Sequence, residues 1–124
     1  MKTDPLTFIY RLALLSAVVI TGFMATTPMT FPATLEVSDK LLHAMVFWLL
    51  LMLVDYSWPQ SGLGPTKVLM VFAYGVLIEL VQYFLPYRDF SLADLLADAL
   101  GMGCYPISVP LLRKMPLLCM RWKH

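Results

Sequence analysis

AMVFWLLLMLV, residues 44–54, contains no charge, no glycine and no proline. A bilayer core takes roughly 20 apolar residues per helix. Extended outward to about Lys40 and Trp58, the run has that length and reads as a membrane span. Three more stretches follow the same rule. One covers about residues 6–25, with Arg11 one turn in. Another covers about 66–85 and holds Glu79 and Gln82. The last covers about 90–112 and is interrupted by Asp94, Asp98, Pro106 and Pro110. Turn residues mark the breaks: Pro28 and Pro32, then Pro59, Gly62, Gly64 and Pro65, then Pro86. The expected fold is an all-α membrane protein, a four-transmembrane-helix bundle forming one domain over residues 1–124.

Composition agrees. Of 124 residues, 60% are hydrophobic and only 14% charged, against roughly a quarter charged in soluble domains. Mean hydropathy is +0.75. A formal net charge of +1 offers no basic field for nucleic acid. Cys104 and Cys119 make neither a C-x-x-C nor a zinc spacing, so neither a metal site nor a structural disulfide is expected. No cofactor is expected. Ala25-Thr26-Thr27 is a poor substitute for a signal-peptidase site, so the first span is read as an uncleaved helix.

Four spans put both termini on one side. Lys2, Arg11, Lys67, Arg113, Lys114, Arg121 and Lys123 fall there, seven of nine basic residues. The positive-inside rule then makes both termini cytoplasmic, and a multi-pass protein of the bacterial cytoplasmic (inner) membrane is the expected localisation. Tyr56, Trp58 and Trp122 fit an interfacial aromatic belt. Arg11 and Asp55 lie near span ends and call for no special account.

This orientation gathers polar residues at the outer end. Asp39, Lys40 and His43 begin the second span, Glu79 and Gln82 end the third, and Arg88 and Asp89 form the turn. Asp94 and Asp98 open the fourth span. At 1.5 Å per residue, Glu79 lies about 9 Å and Asp98 about 12 Å below the span ends, with His43 about 6 Å below Asp39. Helical spacing puts Asp39 and His43 on one face. It likewise aligns Gly75, Glu79, Gln82 and Pro86 as a second stripe, and Asp94, Asp98 and Gly101 as a third. An unpaired carboxylate at such depth costs several kcal/mol, so these groups are expected to face inward and pair. Plainer roles compete. Ser91 to Asp94 matches a capping box, Ser38 and Asp39 suit a helix start, His43 suits a structural hydrogen bond, and Arg88 suits a snorkelling anchor. Glu79 and Asp98 have no capping role and point more firmly to function or obligatory pairing.

Three ordered motifs occur: Ser-Asp-Lys-Leu-Leu-His (38–43), Gly75-x3-Glu79-x2-Gln82, and Pro86-x-Arg88-x2-Ser91-x2-Asp94-x3-Asp98-x2-Gly101. Over about residues 36–104 this set resembles the VanZ-like family of small bacterial membrane proteins, named after a protein linked to teicoplanin resistance. The chain departs from that pattern twice: Asp98 stands where the family usually carries Asn, and Tyr105 where a small residue often follows the Gly101 position. The resemblance implies a cell-envelope protein with a link to glycopeptide-type antibiotic tolerance.

The expected function is binding of, or action on, a cell-envelope or lipid component by the outer cluster. Its binding residues would be Asp39, Lys40, His43, Glu79, Gln82, Arg88, Asp94 and Asp98. Lys40 and Arg88 suit phosphate, and Glu79 and Asp98 suit hydroxyl or amine groups. Expected partners are membrane lipids and a lipid-linked or glycopeptide-like ligand, with an oligomer left open. An intramembrane acid/base enzyme is the alternative, with His43, Glu79 and Asp98 as candidate catalytic groups. A small four-helix transporter is another, though a transporter of that size carries its key glutamate in the first span, and here that span has none. A helper subunit whose polar cluster only locks the bundle is the plainest.

Overall fold

The computed structural model describes residues 5–26, 36–58, 61–86 and 92–115, with the backbone alone described at 36–39. Four helices account for nearly all of them: α1 (Pro5–Thr26), α2 (Glu36–Ser57), α3 (Pro65–Phe84) and α4 (Leu92–Leu112). Each is long and apolar enough to cross a membrane. Among the described residues there is no strand.

Local chemistry explains the boundaries. Gly64 precedes α3 with extended backbone (φ −117°, ψ 178°), and Pro65 follows as its first residue. Proline is tolerated there because the first helical N–H has no intrahelical partner. The helix ends at Leu85, extended at φ −89° and ψ 134°, the conformation that the following Pro86 imposes. One boundary differs from expectation. α2 begins at Glu36, so Ser38 and Asp39 lie inside its first turn rather than before it. α4 stays a single helix through Pro106 and Pro110. Bundle packing outweighs the hydrogen bonds that the two prolines forgo.

The chain crosses the bundle four times in alternating directions. α2 and α4 therefore run parallel, and they approach each other closely at Gly101. A Cβ on Gly101 would fall on the carbonyl oxygen of Ala44, with the Ala44 carbonyl carbon only 2.6 Å away. Only a glycine permits this crossing, as small residues do between membrane helices. Around it lies the core: Phe47, Leu50, Leu51, Tyr56, Val71, Met102, Tyr105 and Leu112 are buried. α2 is the central element. α1 lies at the periphery, with Phe8, Leu15, Val19 and Phe23 exposed along it. An apolar surface so extensive would drive association in water, and it suits contact with lipid.

α1 is held by three side chains that donate to backbone carbonyls. Tyr74 Oη donates to Val18 O (2.6 Å), Gln82 Nε2 to Ala25 O (3.1 Å) and Arg11 Nε to Ser57 O (3.0 Å). The last revises the expectation that Arg11 has no particular role, because its guanidinium also lies 5.4 Å over the Trp58 ring. Tyr56 likewise departs from the expected aromatic belt. It is 1% exposed and packs edge-on to Tyr10 at 5.0 Å, while Trp58 stays 40% exposed.

Candidate functional site

The end of the bundle where α2 and α4 begin carries a connected polar cluster. Parallel helices put Lys40 and His43, one turn apart on α2, opposite Asp94 and Asp98, one turn apart on α4. Lys40 Nζ donates to Asp94 Oδ1 at 3.1 Å. His43 Nδ1 lies 3.2 Å from Asp98 Oδ1, and its Nε2 lies 3.9 Å from Asp94 Oδ2. The imidazole thus sits between two carboxylates, one toward each ring nitrogen. A ring so placed is fixed in orientation by one acid while its other nitrogen stays near the second.

Burial grades inward. The Lys40 side chain is 44% exposed, those of His43 and Asp94 are 22% and 13%, and that of Asp98 is 2%. Asp98 reaches α3. Its Oδ2 lies 3.1 Å from the position of a Cβ on Gly75, beside the Phe47 ring. Glu79, one turn beyond Gly75 on the same stripe, is fully buried. Gly75 therefore lets a carboxylate from α4 dock on the stripe that carries Glu79. Gln82, on that same stripe, spends its amide on α1, a structural use of a residue expected to bind ligand. Pro86, the last of the stripe, is exposed.

The sequence-derived set is thereby sorted. Lys40, His43, Asp94 and Asp98 meet directly, and Glu79 is carried on the adjoining face. Arg88 and Ser91 lie outside the described residues, as does the Asp39 side chain. Cys104 is a free, exposed thiol, and Cys119 is outside the described residues.

Sequence reasoning missed a second polar cluster at the opposite end. Lys67 Nζ donates to Asp55 Oδ1 at 2.8 Å, to Ser61 O at 2.8 Å and to Trp58 O at 3.0 Å. Tyr105 Oη donates to the other carboxylate oxygen, Asp55 Oδ2, at 2.6 Å. Asp55 is thus not a residue at a span end without consequence. It is 2% exposed and joins α2, α3 and α4. Tyr105, the second departure from the family pattern, supplies one of these bonds. An apolar layer that includes Phe47, Leu50, Leu51 and Met102 separates this cluster from Asp98 and His43. Over the α2–α3 connection lies an open cleft of about 380 Å³, lined by Val54, Trp58, Ser61, Gly64, Lys67 and Met70 among others.

The family model described as VanZ/LLP1 matches residues 3–113, which includes α1 and both polar clusters. No curated protein and no solved structure matches the chain.

Proposed function

This chain belongs to the VanZ/LLP1 family, and we propose that it is an inner-membrane protein whose Lys40–His43–Asp94–Asp98 cluster binds a lipid or other cell-envelope component. One observation carries the reading: charged groups converge between two membrane-crossing helices and grade from an open lysine to a buried aspartate. A purely structural lock gains nothing from an open end. A binding site needs one. Both termini are assigned to the cytoplasm on the basic residues, so the cluster faces the outer surface. There it meets envelope precursors and incoming glycopeptide-type antibiotics. Tolerance to such compounds is the cellular consequence that this reading proposes.

The test is lipid analysis after gentle extraction. Wild-type protein is expected to retain a lipid or envelope component that Lys40→Ala and Asp94→Asn lose at equal membrane abundance. Identical retention by all three proteins would remove the reading. Susceptibility to glycopeptide-type antibiotics, compared across the same strains, tests the cellular part.

A second reading rests on His43. Its 3.2 Å contact with a buried aspartate is the pairing by which a general base is oriented. An enzyme of this kind would release a modified lipid in wild-type membranes and not with His43→Gln. Binding alone would leave lipid composition unchanged.

A further inference from the structure

We infer that the end of the bundle where α2 and α4 finish holds an anionic phospholipid. Its phosphate docks on the Arg11 guanidinium, and its glycerol and the start of an acyl chain enter the cleft beside Trp58. This site shares no residue with the Lys40–His43–Asp94–Asp98 cluster and stands independently of the role proposed for it.

Arg11 is held in place with donors to spare. Its Nε donates to Ser57 O at 3.0 Å, and its guanidinium lies over the Trp58 ring, 5.4 Å from the centroid. Neither Nη atom makes a hydrogen bond with another described residue, and Arg11 forms no ion pair among them. The remaining N–H groups form the planar fork that matches two phosphate oxygens. Depth agrees. Arg11 lies in the second turn of α1, level with Ser57, the last residue of α2. A snorkelling arginine stretches toward water. This one is drawn back to a carbonyl where an apolar span finishes, which is where lipid phosphates begin.

Charge selects the headgroup. Among the described residues at this end, Asp55 is the one acid. Its oxygens accept from Lys67 and Tyr105, and its side chain is 3% exposed, out of reach of an added ammonium. Lys67 Nζ in turn donates to Asp55, Trp58 O and Ser61 O, so the phosphate falls to Arg11. Arg113 and Lys114, exposed just beyond α4, add positive charge to the same end. A lipid with net negative charge matches it, as basic pockets between membrane helices match anionic headgroups.

Trp58 links the phosphate to a place for the rest of the lipid. The indole that carries Arg11 also lines the open cleft of about 380 Å³, with Val54, Gly64, Thr66 and Met70. Met70 and Leu77 lie two turns apart on one face of α3, and both are exposed. A chain leaving the cleft therefore continues over apolar surface into the membrane.

Full-length protein in detergent is titrated with short-chain phosphatidylglycerol, short-chain phosphatidylcholine and glycerol phosphate, and affinity is read from thermal shift. The glycerol lipid is expected to bind tighter than the choline lipid, whose ammonium adds to the positive charge of this end. Arg11→Gln is expected to weaken the glycerol lipid about tenfold, the worth of one charge-assisted hydrogen bond. Arg11→Lys keeps the charge without the fork and is expected to keep part of the affinity. Because Arg11→Gln also disturbs the Ser57 bond, Met70→Trp gives a second reading. It fills the cleft from an exposed position, leaves Arg11 intact and is expected to weaken the glycerol lipid as well. Equal affinity for the two lipids, or glycerol-lipid binding unchanged in both Arg11→Gln and Met70→Trp, would overturn the site. A loss with Arg11→Gln alone would overturn the cleft as the seat of the chain. Glycerol phosphate binding as tightly as the lipid would make the ligand a soluble phosphate. Loss of the glycerol lipid in Lys40→Ala, with none in Arg11→Gln, would move it to the other end of the bundle.

Discussion

Asp55 of α2 and Lys67 of α3 form an ion pair 2.8 Å long, with side chains only 3% and 8% exposed. Tyr105 and the carbonyls of Trp58 and Ser61 complete their hydrogen bonds. Every helix except α1 is joined there, and α1 reaches the same end through Arg11 and the Ser57 carbonyl. Taking two charges out of water is costly, and a pair is tolerated only when its remaining polar atoms are satisfied.

Removing one partner of that pair is therefore expected to be severe. Lys67→Met or Asp55→Leu leaves a buried charge and is expected to cost about 3–5 kcal/mol. The double replacement removes both charges and is expected to recover most of the loss, with Tyr105→Phe added to spare its hydroxyl. Denaturation in detergent measures all of these. A double variant as unstable as the singles would show that the network has a value beyond charge balance.

Two glycines on α4 offer a matched contrast. A Cβ on Gly101 meets the Ala44 backbone, which cannot yield as a flexible side chain would, whereas a Cβ on Gly103 meets nothing within 4 Å. Gly101→Ala is expected to destabilise the α2–α4 crossing by about 1–3 kcal/mol, the usual cost of overpacking. Gly103→Ala is expected to be neutral or slightly stabilising through helix propensity. Thermal unfolding of the two variants checks this, and equal melting temperatures would place the crossing elsewhere.

The four helices were legible because apolar length dominates a membrane segment, and the stripe at Gly75, Glu79 and Gln82 because helical periodicity survives in lipid. The pairing of Lys40 with Asp94 was not legible. It needed α2 and α4 to be parallel neighbours, which no spacing within either helix encodes. The Asp55–Lys67–Tyr105 cluster escaped because charges near span ends are ordinarily solvated. The carbonyls of Trp58 and Ser61, which accept from Lys67, come together with it only in the folded chain. The bond from Gln82 to α1 was not legible either, because its position on the stripe says nothing of the Ala25 carbonyl across from it.

Orientation is open to chemical labelling. Seven of nine basic residues on one side predict that the segment between α1 and α2 is outside. In a Cys104→Ser, Cys119→Ser background, Thr34→Cys is expected to react with an impermeant thiol reagent in intact cells, and Lys123→Cys only after permeabilisation. The opposite pattern would invert the bundle and put the Lys40–Asp94 end in the cytoplasm.

The buried end of the cluster is expected to need a hydrogen-bond acceptor more than a charge. Asp98 Oδ1 is within 3.2 Å of His43 Nδ1, while Oδ2 packs against Gly75 and Phe47. Asparagine has the same shape, and its carbonyl oxygen accepts from the imidazole N–H as the carboxylate does. Asp98→Asn is therefore expected to stay within about 1 kcal/mol of wild type, the net worth of an ordinary hydrogen bond. Asparagine is also the residue that the family resemblance leads one to expect there. Leucine fills the space without an acceptor and leaves the half-buried imidazole nitrogen unmatched, so Asp98→Leu is expected to cost about 1–3 kcal/mol. Melting temperatures of both variants in one detergent decide the matter. If Asp98→Asn proves as damaging as Asp98→Leu, the negative charge itself holds His43, and the acid/base reading of the dyad gains over simple positioning.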